Sequence, residues 1–301
     1  MATIGQRNIL TVLRDTPPGL ILDGEELGDI LLPGRYIPRG TVPEDTLDVF
    51  LYLDSEDRLV ATTETPHAMV GEFAAMKVIS IHQQAGAFLD WGLSKDLLLP
   101  FREQPERVEV GDTVVVYVNL DPRTNRIVAT MKLDKYLSRE TPPFEKGEEV
   151  SLLIAGKTPL GYNAIVEPLK NSVDAKPRRS SPERRRVGGK YGGLLYHTNL
   201  SGPLQIGQKL QGFVHSVRDD RKIDLRLDAS GYQRVAPLKD KIVAALRNNK
   251  GRIEFDNDSP PEKIRAEFGA SKKAFKMALG ALYKERKIQF VKAGVEFVKK
   301  A

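Results

Sequence analysis

Few residues in this chain are placed to do chemistry, and those few are rings and cations. In GAFLDWG, residues 86–92, Phe88 and Asp90 alternate with Leu89 and Trp91. Successive side chains of a strand point to opposite faces, so if Leu89 and Trp91 enter a core, Phe88 stands in water beside Asp90. A phenyl ring in water needs a packing partner or a ligand. The cations cluster in AKPRRSSPERRRVGGKYGG, where residues 176–190 carry seven Lys/Arg and one Glu, among them Arg178, Arg179, Arg184, Arg185 and Arg186. Its Pro, Ser and Gly content builds no core. Such guanidinium groups grip phosphates, with affinity that falls steeply as salt rises; the competing reading is a solvated loop.

Catalytic constellations are missing from the pattern. His67, His82, His197 and His215 show no metal-ligand spacing. LLIAGKTP, residues 152–159, ends like a phosphate-binding loop, but Ser151 stands where the leading Gly belongs and Pro159 blocks the helix that should follow. No carboxylate cluster shares a rigid element with a base. The chain therefore reads as a non-enzyme, with no metal and no cofactor expected.

The elements that hold Phe88 are short strands. MKVISIHQQAGAFLDWG, then DLLLP, then GDTVVVYVNLDPRTNRIVATMKL gives five strands in about 65 residues, two of them joined through a hairpin turned by Pro, Thr and Asn. So many short strands suggest a small closed barrel, because closure removes exposed edges. The order recurs. ILTVLRDTPPGLILDG, DILLP and DTLDVFLYLDSEDRLVATT precede it; EEVSLLIAGKTPLGYNAIVE, GGLLYHTNL and GQKLQGFVHSVRDDRKIDLRL follow it. LDSEDRLVATT and LDPRTNRIVATM match most closely. Three copies of one barrel thus fill residues 1–230, the third interrupted by the basic insertion.

After Tyr232 the period changes from 2 to 3.6. PLKDKIVAALRNNKG places Leu238, Ile242, Ala245 and Leu246 on one face. In DSPPEKIRAEFGA, Ser259 reads as N-cap, Pro260 as first helical residue and Glu262 as capping-box partner. Gly269 turns the chain, Ser271 caps SKKAFKMALGALYKERK, and KIQFVKAGVEFV reads as a hairpin turned at Ala293-Gly294. The sum is a winged helix-turn-helix, with Phe275, Leu279 and Leu282 buried and Lys272, Lys273, Lys276 and Lys284 mostly off that stripe. Lysines supply phosphate contact rather than base-edge readout, so nonspecific nucleic-acid contact or protein contact is expected of this domain.

Bulk properties agree with a polyanionic partner. The 301 residues include no Cys, which excludes disulfides, zinc-thiolate sites and thiol catalysis and suits a reducing cytoplasm. No apolar run approaches bilayer length, and the N-terminus lacks a secretory signal pattern. Net charge is +6 but unevenly spread: −7 in residues 1–65, −1 in 66–137, +5 in 138–231 and +9 in 232–301.

GAFLDWG…DLLLP…GDTVVVYVNLDPRTNRIVATM and GLLYHTNL…GQKLQGFVHSV resemble S1 RNA-binding domains, five-stranded oligonucleotide-binding barrels. Three of them before a basic helical tail resemble the conserved virulence factor B family of bacterial RNA-binding proteins. The resemblance implies single-stranded RNA on one barrel face, with rings on the second and third strands stacking on bases. Phe88 takes the stacking position of the second repeat, with Ala85 and Leu99 where further rings could stand. Asp121 and Arg126 fall at the polar hairpin positions. In the third repeat Tyr162 takes the earlier aromatic position, Ile165 replaces the Phe, Tyr196 with His197 beside it takes the third strand, and Lys222 matches the hairpin base. The first repeat, with Ile21 and Leu32 at ring positions and Asp54 and Arg58 in its hairpin, is structural or contacts protein.

The expected architecture is multidomain and mainly β: three tandem five-stranded OB-fold (S1-like) barrels over 1–65, 66–137 and 138–231, the last with a basic insertion at 170–190, then a winged helix-turn-helix (α+β) domain over 232–301. The expected function is non-catalytic, cytoplasmic single-stranded RNA binding in post-transcriptional regulation of gene expression, by a monomer without a membrane partner. The alternatives are a DNA-binding transcription regulator working through the winged helix, and an adaptor on the ribosome or polymerase. Duplex nucleic acid and the ribosome are the further partners these readings admit.

Overall fold

In a computed structural model of the chain, the residues described are 1–169, 189–200, 202–227, 231–249, 251–270, 272–291 and 294–298, with 231–237 and 273 described by backbone alone. The first barrel is built from β1 (Arg7–Thr16), β2 (Gly19–Asp23), β3 (Asp29–Pro33), β4 (Thr46–Leu53) and β5 (Leu59–Thr62). The second uses β6 (Phe73–His82), β7 (Gly86–Leu89), β8 (Leu97–Pro100), β9 (Thr113–Leu120) and β10 (Ile127–Thr130). The third uses β11 (Glu149–Thr158), β12 (Gly161–Pro168), β13 (Tyr191–Tyr196), β14 (Lys209–Val217) and β15 (Ile223–Arg226). Each sheet closes in one order: the first three strands run antiparallel, the third pairs the fifth in parallel, and the fifth returns to the fourth.

Alternation builds each interior. Val12, Leu22, Ile30, Leu32 and Leu51 are fully buried in the first barrel, and Val78, Leu89, Leu99, Val116 and Val118 in the second. Each such side chain contributes roughly 1.5–3 kcal/mol. The repeats share a register anchor as well. Gly19, Gly86 and Gly161 open their second strands opposite Pro33, Pro100 and Tyr196. A Cβ at these glycines would collide with the carbonyl oxygens of Leu32, Leu99 and Leu195.

The first two barrels share a core. Phe50, Tyr52 and Val60 of the first pack with Trp91, Leu93 and Leu97 of the second. Trp91 is the inward residue that alternation requires: it meets Phe50 edge-on at 5.5 Å and donates from Nε1 to the Ala68 carbonyl at 2.8 Å. Polar struts add to this. Lys95 Nζ donates to the carbonyls of Leu53 and Asp54 at 2.7 and 2.8 Å, and the Tyr36 and Ser94 hydroxyls lie 2.6 Å apart. The second and third barrels meet through Phe73, Val115, Leu153 and Ile165, with Tyr117 stacked on Tyr136 at 3.9 Å. Tyr117 therefore packs in that seam.

Beyond the barrels, α1 (Gly231–Asn248), α2 (Pro261–Phe268) and α3 (Lys272–Lys284) pack on a three-stranded sheet of β16 (Arg252–Ile253), β17 (Ile288–Val291) and β18 (Gly294–Phe297), in the order β16-β18-β17. Phe275, Leu279 and Leu282 are fully buried, joined by Leu238, Ile242 and Ile264, while Ala245 packs at the edge of this core. Gly269 ends α2 in the left-handed conformation (φ 64°, ψ 24°), as its position requires. The capping box is not made. Ser259 Oγ accepts from the Asp256 N–H at 2.8 Å and donates back to its carboxylate, and α2 starts from Pro260 with no side-chain cap. Ser271 and Ala293 lie outside the described residues. β16 is too short for its two residues to show a period.

Candidate nucleic-acid interface

Strand register gives each barrel one outward row. In the second barrel Phe88 on β7 lies between Ser80 on β6 and Leu98 on β8, and Leu98 pairs Val128 on β10. Phe88 is half-buried and keeps part of its surface in solvent. Ile79, at the bulge in β6, and Ile81, opposite Ala87 at the strand's end, are 41% and 42% exposed but do not share the register row of Phe88. The third-strand residue on this face is Leu98, because Leu99 is wholly interior. Leu32 in the first repeat is interior for the same reason, and Leu31 faces out beside Ile21.

The hairpin residues of the second barrel serve structure first. Asp121 accepts from the Arg123 N–H at 3.0 Å and lies 3.6 Å from the Arg102 guanidinium. Arg126 is engaged by the first barrel. Its Nε donates to Asp57 Oδ1 at 2.7 Å and its Nη2 to Oδ2 at 2.5 Å, a bidentate clamp onto the tip of the first barrel. The hydrogen bond from Arg126 holds the Asp57 carboxyl below the ordinary range.

In the third barrel Asn163 pairs Leu194 as Phe88 pairs Leu98, and Leu194 pairs Asp224 as Leu98 pairs Val128. Asn163, exposed, is therefore the counterpart of Phe88; Ile165 lies two residues on, buried in the seam with the second barrel. Tyr162 corresponds to the interior Ala87. It is 3% exposed and its hydroxyl accepts from the Leu204 N–H at 3.2 Å, so its ring is core rather than platform. His197 is exposed, sets its ring edge-on to Tyr162 at 5.3 Å, and places Nε2 3.2 Å from the Thr158 carbonyl. Tyr196 stays on the face, half-buried.

Around Tyr196 the structure assembles a polar cluster. Arg218 Nε donates to Asp224 Oδ1 at 2.8 Å, and its Nη2 donates to the Tyr196 hydroxyl at 2.7 Å. That hydroxyl donates to Asp224 Oδ1 at 3.2 Å, and Ser216 Oγ donates to Oδ2 at 3.0 Å. Burial pushes the Asp224 carboxyl up, but the hydrogen bonds of Arg218, Ser216 and Tyr196 with the guanidinium charge outweigh it and hold the group below the ordinary range. The hydrogen bond to Asp224 raises Arg218 in turn. Sequence reasoning missed Arg218 and Asp224. The signal was available in the hairpin: the Arg218 N–H bonds the Lys222 carbonyl as Asp54 bonds Arg58 and Asp121 bonds Arg126. One position thus carries Asp, Asp and Arg in the three repeats. Lys222 itself is exposed in the hairpin.

Arg178, Arg179, Arg184, Arg185 and Arg186 lie outside the described residues, as does the side chain of Lys273. On α3, Lys272 donates from Nζ to the Asp258 carbonyl at 3.2 Å, while Lys276 and Lys284 are exposed. Among the described residues no three or more His, Asp or Glu stand together in a way that could hold a metal ion, and no helix is long and apolar enough to cross a membrane.

Three closed five-stranded barrels with an outward row on each, followed by a winged helix, define a multidomain nucleic-acid-binding protein. Family models make the class specific: an S1 domain model matches residues 4–64 and 70–132, and a CvfB-like winged helix domain model matches 240–297. The chain belongs to the family of S1-domain proteins that carry this winged helix. It is similar to the Bacillus subtilis protein YitL, 25% identical over 94% of this chain and 90% of that one. It is also similar to Conserved virulence factor B of Staphylococcus saprophyticus, 23% identical over 79% of this chain and 74% of that protein. A Streptococcus pneumoniae crystal structure, of a multidomain protein with nucleic acid binding domains, aligns over 98% of both chains at 22% identity with a TM-score of 0.43.

Proposed function

We propose that the protein is a non-catalytic single-stranded RNA-binding protein of the cytoplasm that regulates gene expression after transcription. Barrels two and three carry the RNA, and the basic insertion and winged helix strengthen the hold. The observation behind this reading is Phe88, a half-buried ring in the middle of the outward row of the second barrel, between Ser80 and Leu98. A base stacked there covers apolar surface that the protein itself leaves open. The third barrel supplies Tyr196 and the Arg218 guanidinium at the matching edge, where a phosphate competes with Asp224 for the cation.

The test is binding of the intact protein to a fluorescent RNA of about 20 nucleotides over a salt series, beside duplex DNA and the Phe88→Ala variant. Loss of a stacking ring costs on the order of 1–3 kcal/mol. RNA should be preferred, and Phe88→Ala should weaken it at every salt concentration. Equal binding of duplex DNA by both proteins refutes the barrel reading and transfers the function to the winged helix.

A further inference from the structure

The winged helix carries an aromatic pair that its own fold does not use. Tyr283, near the end of α3, is 54% exposed, and Phe290, on β17, is 40% exposed. Their rings lie 5.4 Å apart at 48°, outside the core formed by Phe275, Leu279 and Leu282. Two large rings that meet on the outside of a domain leave about half of their surface open to solvent, apolar area for which the fold supplies no cover.

The surface beside them is open and cationic. Residues seven apart on a helix lie nearly in line, so Lys276 stands two turns before Tyr283, with Gly280 between them. A Cβ at Gly280 would meet nothing within 4 Å among the described residues. Glycine in a helix interior is unfavourable relative to alanine, and no close approach among the described residues explains this one. What it leaves is a flat floor between a lysine and a tyrosine. Lys276, Lys284 and Arg286 are exposed there, and none is in an ion pair with a carboxylate among the described residues. Lys287 and Lys239, by contrast, both pair with Glu285.

We infer that Tyr283 and Phe290, with the gap at Gly280, form a stacking site for a nucleobase of a single strand whose phosphates meet Lys276, Lys284 and Arg286. The choice of occupant follows from the combination. Rings alone suit many partners, but rings set among cations lacking carboxylate partners suit a polymer that is both planar and polyanionic. A duplex hides its base faces, so this site selects single strands. It places the contact on the C-terminal half of α3 and the wing, away from the early turn where Lys272 is held by the Asp258 carbonyl. The inference rests on the single-stranded RNA reading above and assigns the winged helix a mode within it.

The full chain and its Tyr283→Ala, Gly280→Met and Phe88→Ala variants should be titrated with a fluorescent random-sequence RNA of about 20 nucleotides, with a duplex RNA of equal length, and with inorganic polyphosphate, which has charge but no bases. Tyr283→Ala and Gly280→Met should each weaken single-stranded RNA by about fivefold or more, the lower end of a single stacking contact, and leave polyphosphate and duplex affinity unchanged. Methionine at 280 favours the helix, so a loss there is not a folding defect, and thermal unfolding checks it. Unchanged RNA affinity in both variants overturns the inference and leaves the surface to a protein partner. An equal loss for polyphosphate also overturns it, since charge would then be the whole effect. If Phe88→Ala is silent while Tyr283→Ala is not, the barrel reading fails and this one stands; the converse separates them the other way.

Discussion

Replacing Asp224 by Asn tests the polar cluster of the third barrel from two sides. The carboxylate accepts from Arg218, Tyr196 and Ser216, and its side chain is 16% exposed. Hydrogen bonds to charged groups contribute about 1.5–3 kcal/mol; with Arg218 34% exposed, solvent recovers part of that, leaving about 1–2 kcal/mol. The pH dependence has a definite sign. The folded-state pKa of Asp224 is depressed, so its stabilisation is present in full above the unfolded value of about 3.9 and is lost as pH falls through the depressed value. The difference between wild type and Asp224→Asn should therefore be constant at neutral pH and shrink below about pH 4. Amide hydrogen exchange over β14 and β15 reads the third barrel locally. Trp91, the single tryptophan of the chain, reports on the shared core of the first two barrels and should not respond. On the RNA side, the substitution frees Arg218 for phosphate, so affinity should rise and the salt slope steepen by up to about 0.7, one counterion on a single strand. Unchanged protection over β14 and β15, a pH-independent difference or weaker RNA binding would each refute this account.

Two further substitutions probe what holds the faces in place. Lys95→Met leaves the Leu53 and Asp54 carbonyls without their donor and should lower the urea stability reported by Trp91 fluorescence by about 1–3 kcal/mol. Tyr162→Phe removes the acceptor of the Leu204 N–H and should cost about 1 kcal/mol of third-barrel stability by hydrogen exchange, with RNA affinity unchanged. Reduced RNA binding by that variant would restore Tyr162 to the interface.

The barrels were legible because alternation, Gly turns and two near-identical hairpins repeat along the chain. The faces were legible only where register was unambiguous. Phe88 is flanked by clear interior residues, and its outward direction follows from period alone. DLLLP offers three leucines in a row, and which of them faces out depends on pairing with β7, which puts Leu98 rather than Leu99 beside Phe88. In the third repeat, the motif match placed Tyr162 by position in the strand. The Gly161–Tyr196 pair shows it one residue out of phase with Phe88, hence inside. The engagement of Arg126 is invisible in the sequence for another reason. Its partner Asp57 lies 69 residues away in a different barrel, and a contact between domains leaves no period in either.

Divergence at matched positions says how the copies divide the work. The outward row reads Ile21, Leu31, Val60 in the first barrel, Phe88, Leu98, Val128 in the second and Asn163, Leu194, Asp224 in the third. The first has no ring, and its hairpin is occupied by Lys95 and Arg126 of the second. The second has a ring but has given that cation away. The third has the cation without the ring at the Phe88 position. If stacking and charge are complementary contributions along one strand, Asn163→Phe should add a platform where the phosphate contact already exists. Asn163 is exposed, so the ring can be accommodated, and RNA affinity should rise by an increment on the order of 1–3 kcal/mol, with little change in salt slope because no charge is altered. The same increment should persist in the Phe88→Ala background, since the two positions lie on different barrels. An affinity unmoved by Asn163→Phe would mean that RNA does not run across this row of the third barrel, leaving Arg218 and Tyr196 as a structural knot and the second barrel to bind alone.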